Sequence, residues 1–182
     1  VFLPGQAEIR RAAEALAGLA GPDIDIAPLY GQLTAAEQDR AIRPAAPGRR
    51  KIVLATAIAQ TSLTIEGVRI VIDSGLSRLP VYEPGTGLTR LETRRVSRAS
   101  ADQRRGRAGR TEPGACYRLW DEPETISLAP FTMPEILSSD LAGLVLDLAV
   151  WGVSDPLSLS WLDPPPAAAL NEARTLLREL DA

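Results

Sequence analysis

Between residues 97 and 111 the chain reads Ser-Arg-Ala-Ser-Ala-Asp-Gln-Arg-Arg-Gly-Arg-Ala-Gly-Arg-Thr, its densest cluster of chemistry-bearing side chains. Guanidinium forks match phosphate oxygens bidentately, whereas a lysine offers only a point charge. Ser100 and Gln103 have the spacing of a capping box, which predicts a helix starting there. On that helix Gln103, Arg107 and Arg110 fall at i, i+4 and i+7, on one face. Gly106 and Gly109 each cost about 1 kcal/mol against Ala in a helix interior, tolerable where a backbone or ligand must come close. The expected chemistry is recognition of a bulky anion by two guanidiniums and an amide. A solvated arginine-rich loop is the plainer alternative.

The elements that must position this segment read as strands alternating with short helices. Residues 1–3 with Pro4-Gly5 form a strand end and turn, and residues 6–19 an amphipathic helix. Residues 24–29 read as a strand, and Thr34 caps a helix to about Ile42. Residues 51–55 and 68–73 are apolar runs suited to buried parallel strands. This alternation implies βαβ units and an α/β fold with a parallel sheet. Ligands of such sheets sit beyond the carboxyl ends of the strands, where the polar residues 56–66 follow. Residues 81–96 predict a β-hairpin with Arg90 and Arg94 on one face and Arg95 on the other. Residues 115–119 read as the last strand and 120–130 as a linker. Pro134 marks a helix start, with Leu137, Leu141, Leu144, Leu148 and Trp151 as its core stripe. A final helix should bury Leu170, Ala173, Leu177 and Leu180.

Composition narrows the function classes. No apolar run approaches the 18 residues of a membrane span, and no signal-peptide pattern is present. One Cys and no His exclude a disulfide framework and a Cys/His zinc site, so a reducing, cytoplasmic setting is expected. Residues 90–110 carry eight Arg against two acids, a local charge of +6. From residue 119 onward eleven acids face two Arg, a local charge of −9. That segregation points to one polyanion-facing surface. The only lysine, Lys51, precedes Ile52-Val53, so no G-x-x-x-x-G-K-[ST] phosphate loop exists in these residues. The chain opens inside a strand and its single Met is Met133, which suggests part of a longer protein.

Gln103-Arg-Arg-Gly-Arg-Ala-Gly-Arg110 resembles motif VI of superfamily 2 helicases, in the form used by the DEAH/RHA group. Leu54–Gly67 is similar over its whole length to motif V of that group. Phe2-Leu-Pro-Gly5 resembles motif IV, and Leu29-Tyr-Gly-Gln-Leu33 the block that follows. The residues 151–165 resemble the bacterial HrpB branch. The likeness covers essentially the whole chain and is strongest over 51–118. It implies a second RecA-like lobe over 1–121 and the start of a winged-helix and helical region over 122–182. The implied activity is ATP-dependent helicase action on nucleic acid, RNA in preference to DNA. Arg107 and Arg110 are implied as arginine fingers, with Gln103 orienting the γ-phosphate or water. Ser62 and Glu66 are implied to contact the nucleotide, and Thr56 and Thr64 the RNA backbone. Arg90, Arg94 and Arg95 lie on a hairpin that resembles a duplex-splitting wedge. ATP and Mg²⁺ are implied to bind between this lobe and an upstream one supplying the phosphate loop, so the fragment alone should be inactive. Two positions depart from the family: Ala57 replaces its usual Asn and Gln60 its usual Glu. A non-catalytic nucleic-acid-binding module, or a scaffold lobe with a decayed nucleotide site, is the alternative.

Overall fold

Backbone hydrogen bonds through one short segment join two strand pairs into a parallel sheet. The computed structural model of the chain describes residues 1–61, 65–83, 86–110 and 112–181. Strand β1 (Ile24–Leu29) runs parallel to β2 (Arg50–Ala55), with Ile24 opposite Arg50 and Leu29 opposite Ala55. Strand β3 (Ile70–Asp73) runs parallel to β6 (Ala115–Arg118), with Ile70 opposite Ala115. Phe2 bridges both pairs in parallel, to Ala55 on one side and Asp73 on the other. Its amide donates to the Ile72 carbonyl at 2.8 Å, and the Leu3 amide donates to the Ala55 carbonyl at 2.9 Å. The segment that reads as a strand end therefore lies at the middle of the sheet, between β2 and β3.

Five described helices and a hairpin surround these strands in the chain. Helix α1 (Gln6–Ala17) packs on β1 and β2, and α2 (Ala35–Ile42) packs on β1. The expected Thr34 cap is a full capping box with Glu37. Lys51, the single lysine, is spent on the other end of α2, where its ammonium donates to the Arg40 carbonyl at 2.9 Å and to the Arg43 carbonyl. Cations near a helix C-terminus satisfy orphan carbonyls and the dipole together. Helix α3 (Ile58–Thr61) packs against α4 (Arg98–Arg105), which lies on β3. Strands β4 (Leu76–Glu83) and β5 (Leu88–Arg95) pair with each other. Only four residues separate them, too few for a parallel crossover, so they form the expected hairpin. Within the segment expected to be a linker lies helix α5 (Glu122–Ser127), started by an Asp121–Glu124 capping box.

Val1–Arg78 and Thr93–Thr132 make one compact unit; Leu79–Glu92 and Met133–Ala182 make another. The first buries Phe2, Leu29, Ala41, Ala55, Ala59, Val71 and Ala108 together. The second packs helix α6 (Ala142–Val150) on α7 (Ala167–Glu179) through Leu141, Ala142, Val145, Leu170 and Ala173. Three details of the expected stripes differ. Pro134 precedes only a 3₁₀ turn over Glu135–Leu137, and Leu141 is the N-cap of α6 rather than its middle. Asp140 accepts from the Ala142 amide and so restarts the chain as a second helix. Trp151 and Leu180, expected in the core, are 73% and 66% exposed because each sits at a helix C-cap, beyond the packed turns.

At the centre of the first unit lies an ion pair between fully buried side chains. Asp73 ends β3, and its Oδ1 accepts from Arg104 Nη1 at 2.8 Å. The same guanidinium donates to the Leu76 carbonyl and lies 5.0 Å from the centre of the Phe2 ring. Removing one partner of such a pair leaves an uncompensated buried charge. Asp73→Ala is accordingly expected to lower the unfolding free energy by about 3–5 kcal/mol, read from urea denaturation. A loss below about 1 kcal/mol would show that the pair does not anchor the sheet.

Candidate functional site

The Arg104 anchor determines how the arginine segment is presented. Helix α4 begins three residues earlier than the spacing suggested: its N-cap is Ser97, whose hydroxyl accepts from the Ser100 amide. Ser100 lies inside the helix and makes no capping box. The other orphan donors at this end go to a distant segment, Arg98 to the Ala129 carbonyl at 2.8 Å and Ala99 to the Pro130 carbonyl at 3.1 Å. Thr132 completes the cap through the Ser97 hydroxyl. No local sequence pattern announces partners some thirty residues away.

The helix also ends sooner than expected, at Arg105, with Gly106 as its C-cap. Arg107 and Arg110 are therefore carried by turns, not by a third helical repeat, and the predicted single helical face does not extend to them. The Arg107 amide donates to the Arg104 carbonyl, and the Ala108 amide to the Arg105 carbonyl. The close backbone approach expected at Gly106 and Gly109 occurs instead at Gly114. A Cβ there would stand 1.8 Å from the Ala108 carbonyl oxygen, whereas Gly109 has open space around it. Gly114 thus lets the strand leading into β6 press against the turn that carries the arginines.

Gln60 gathers the candidates. Its Nε2 donates to Gln103 Oε1 at 2.8 Å, and its Oε1 accepts from Arg104 Nε at 3.2 Å. Its main-chain carbonyl accepts from Arg107 Nη2. Arg107 is held below the usual arginine range, first by burial and then by the neighbouring charge of Arg110. A nearby anion would favour the charged form of Arg107 again. Arg107 and Glu66 line one cavity of about 590 Å³, together with Lys51 and Arg69. Ser62 and Thr64 lie outside the described residues. Thr56 sits at the carboxyl end of β2, its amide donating to the Leu29 carbonyl.

The hairpin arginines are more engaged internally than the sequence suggested. Arg90 pairs with Glu83 and Glu92 at 3.6 and 3.3 Å. Arg95 pairs with Glu124 at 2.9 Å and stacks on Trp120, which Arg118 also approaches. Trp120 rests on Gly75, where φ is +72° and a Cβ would meet the indole ring at 2.8 Å. Asp102 on α4 accepts from Arg118 at 2.8 Å, tying the exposed side of that helix to β6. Asp73, Arg104, Ser97 and Gln60 were not singled out as site-building residues by spacing. For Asp73 a clue existed, since a carboxylate closing an apolar buried strand requires a partner.

The helicase conserved C-terminal domain model matches residues 1–112, which include Gln60, Asp73 and the arginine turn. This chain belongs to that family. The helicase domain here is 52% identical over 182 residues to the ATP-dependent RNA helicase HrpB of Escherichia coli (strain K12), covering 100% of the chain and 22% of HrpB. It is 43% identical to the human probable ATP-dependent RNA helicase DHX34, of which it covers 16%. A crystal structure of the Escherichia coli DEAH/RHA helicase HrpB superposes with a TM-score of 0.92 at 52% identity, over 98% of this chain and 23% of that one. The chain thus spans about a fifth of HrpB's length. The α/β class with a parallel sheet, flanking helices, a hairpin and a trailing helical region is the class expected.

Because the helicase domain's arginine turn leans on Gly114, Gly114→Ala is expected to cost about 3 kcal/mol through overpacking. Amide resonances of residues 106–110 should move with it in a two-dimensional NMR spectrum. Unchanged resonances there would break the link between that contact and the turn.

Proposed function

We propose that this chain is the second RecA-like lobe of an ATP-dependent RNA helicase, with residues 1–121 forming that lobe and 122–182 opening a winged-helix region. The observation that carries the reading is the placement of Arg107 and Arg110 together on the turn after α4, with Arg107 half-buried and donating to the Gln60 carbonyl. Guanidiniums bind phosphate oxygens bidentately, so two on one short turn suit a phosphate group. In this reading Arg107 and Arg110 stabilise charge on the transferring phosphoryl group of ATP, and Gln103 orients the γ-phosphate or the attacking water. Ser62 and Glu66 complete the nucleotide contacts on this lobe.

Mg²⁺ at a nucleotide site is usually held by one or two carboxylates, waters and the substrate's own phosphates rather than by an all-protein cage. The ion and the phosphate loop are assigned to an upstream lobe of the same polypeptide. Thr56 and Thr64 hold the RNA backbone, and Arg90, Arg94 and Arg95 face the duplex; hydroxyls and arginines are ordinary phosphate contacts. The names borne by the relatives, RNA helicases, favour RNA over DNA as the strand held. Among the described residues no helix is long and apolar enough to cross a membrane.

The test is ATP hydrolysis by the complete polypeptide, with and without single-stranded RNA, beside Arg110→Ala. Turnover should rise with RNA and fall by roughly 10³–10⁵ in the variant, the range of arginine fingers in related phosphoryl transfer. Turnover indifferent to Arg110, with RNA affinity independent of nucleotide, would make the chain a binding module instead.

A further inference from the structure

Gln60 stands where two halves of the site meet, and nothing in the roles above uses it. Its side-chain amide is engaged on both sides by site residues, donating to Gln103 at 2.8 Å and accepting from Arg104 at 3.2 Å. Its carbonyl takes a third donor from Arg107. One residue therefore touches the proposed water-orienting amide, the buried anchor and one proposed finger.

The other end of its connection is equally short. Gln60 lies on α3, which starts two residues after Thr56 at the carboxyl end of β2. The Gln60 amide donates to the Ala57 carbonyl at 2.9 Å, and the Ala59 amide to the Thr56 carbonyl at 3.3 Å. The 56–60 backbone is thus a single hydrogen-bonded turn. Ala59 is buried in the same core as Ala108, in the arginine turn. Only this short turn separates Thr56 from the side chain that touches Gln103 and from the carbonyl that takes Arg107.

We propose that Gln60 is a positioning residue that couples occupancy of the RNA side, at Thr56, to the geometry of Gln103 and Arg107 on the phosphate side. This rests on the helicase reading above and deepens it. Coupling between two sites requires an element that both sites bias. Here that element is the α3 turn, held by a side chain that bridges Gln103 and Arg104. The Glu usual to the resembling family keeps the acceptor toward Arg104, and Gln103 can turn its own amide to donate to it. Glu at this position should therefore preserve the bridge, whereas Ala should cut it.

The experiment is steady-state ATP hydrolysis by the complete polypeptide, comparing parent, Gln60→Ala, Gln60→Glu and Arg110→Ala, each with and without saturating single-stranded RNA. The quantity read is the ratio of kcat with RNA to kcat without it, alongside the melting temperature of each protein. Gln60→Ala is expected to cut that ratio at least about fivefold, the lower range of measured site-to-site couplings. Gln60→Glu is expected to keep it within about twofold of the parent, well short of that loss. A residue that only supported the fold would lower both rates in proportion and leave the ratio alone. A parental ratio retained in Gln60→Ala, or a Gln60→Glu protein as uncoupled as Gln60→Ala, overturns the proposal. If Arg110→Ala still abolishes turnover in that case, the helicase reading stands without it; a parent lacking turnover ends both.

Discussion

The ion pair between Asp73 and Arg104 is the constraint on which the rest of the first unit depends. Taking two charges out of water costs several kcal/mol each before their attraction is counted. The fold meets that cost with geometry: a 2.8 Å contact, the Gly75 amide on the same carboxylate oxygen, the Leu76 carbonyl on the guanidinium and the Phe2 ring beside it. Phe2 and Asp73 are themselves bridged in the sheet, so the pair locks α4 to the central segment and to β3 together. A hydrophobic contact could hold the helix equally well but could slide or rotate. A directional charge pair cannot, and the register of α4 decides where the residues after it emerge.

What emerges is a turn rather than a longer helix. Gly106 closes α4, and Gly114 allows the returning strand to come within contact of the Ala108 carbonyl. Arg107 and Arg110 are consequently held on a short loop pinned from two sides, by the Arg104 anchor before it and by β6 after it. Preorganised cations of this kind stabilise developing charge without having to reorganise when it appears. The same anchor reaches Gln60, whose side chain ties the end of β2 to α4. The two ends of the site therefore share one foundation.

Net local charge is a poor count of phosphate-binding arginines in this chain. Of the eight Arg between residues 90 and 110, Arg104 is buried in the fold, Arg105 sits near Asp102, and Arg90 and Arg95 pair with acids. Exposed pairs are weak, typically under about 1 kcal/mol, so a polyanion can compete for those arginines. The buried one is out of reach. Arginine density along the sequence thus mixes a buried architectural residue with paired and exposed surface ones.

The alternation of apolar strands and helices, the Thr34 cap, the hairpin and the resemblance of 54–67 and 103–110 to helicase motifs were all legible from residue types and spacing. These rest on interactions between near neighbours, and such interactions leave local periodic marks. The partners of Ser97, Arg98 and Ala99 come from residues 129–132, those of Arg104 from Asp73 and Gln60, and the central position of Phe2 from two strands far along the chain. Each of these pairs distant residues once, with no repeat to betray it. By itself the sequence determined the class of fold and the family. Which arginines are buried as architecture and which pair at the surface was decided only in three dimensions, because burial and pairing are properties of where segments meet rather than of their order.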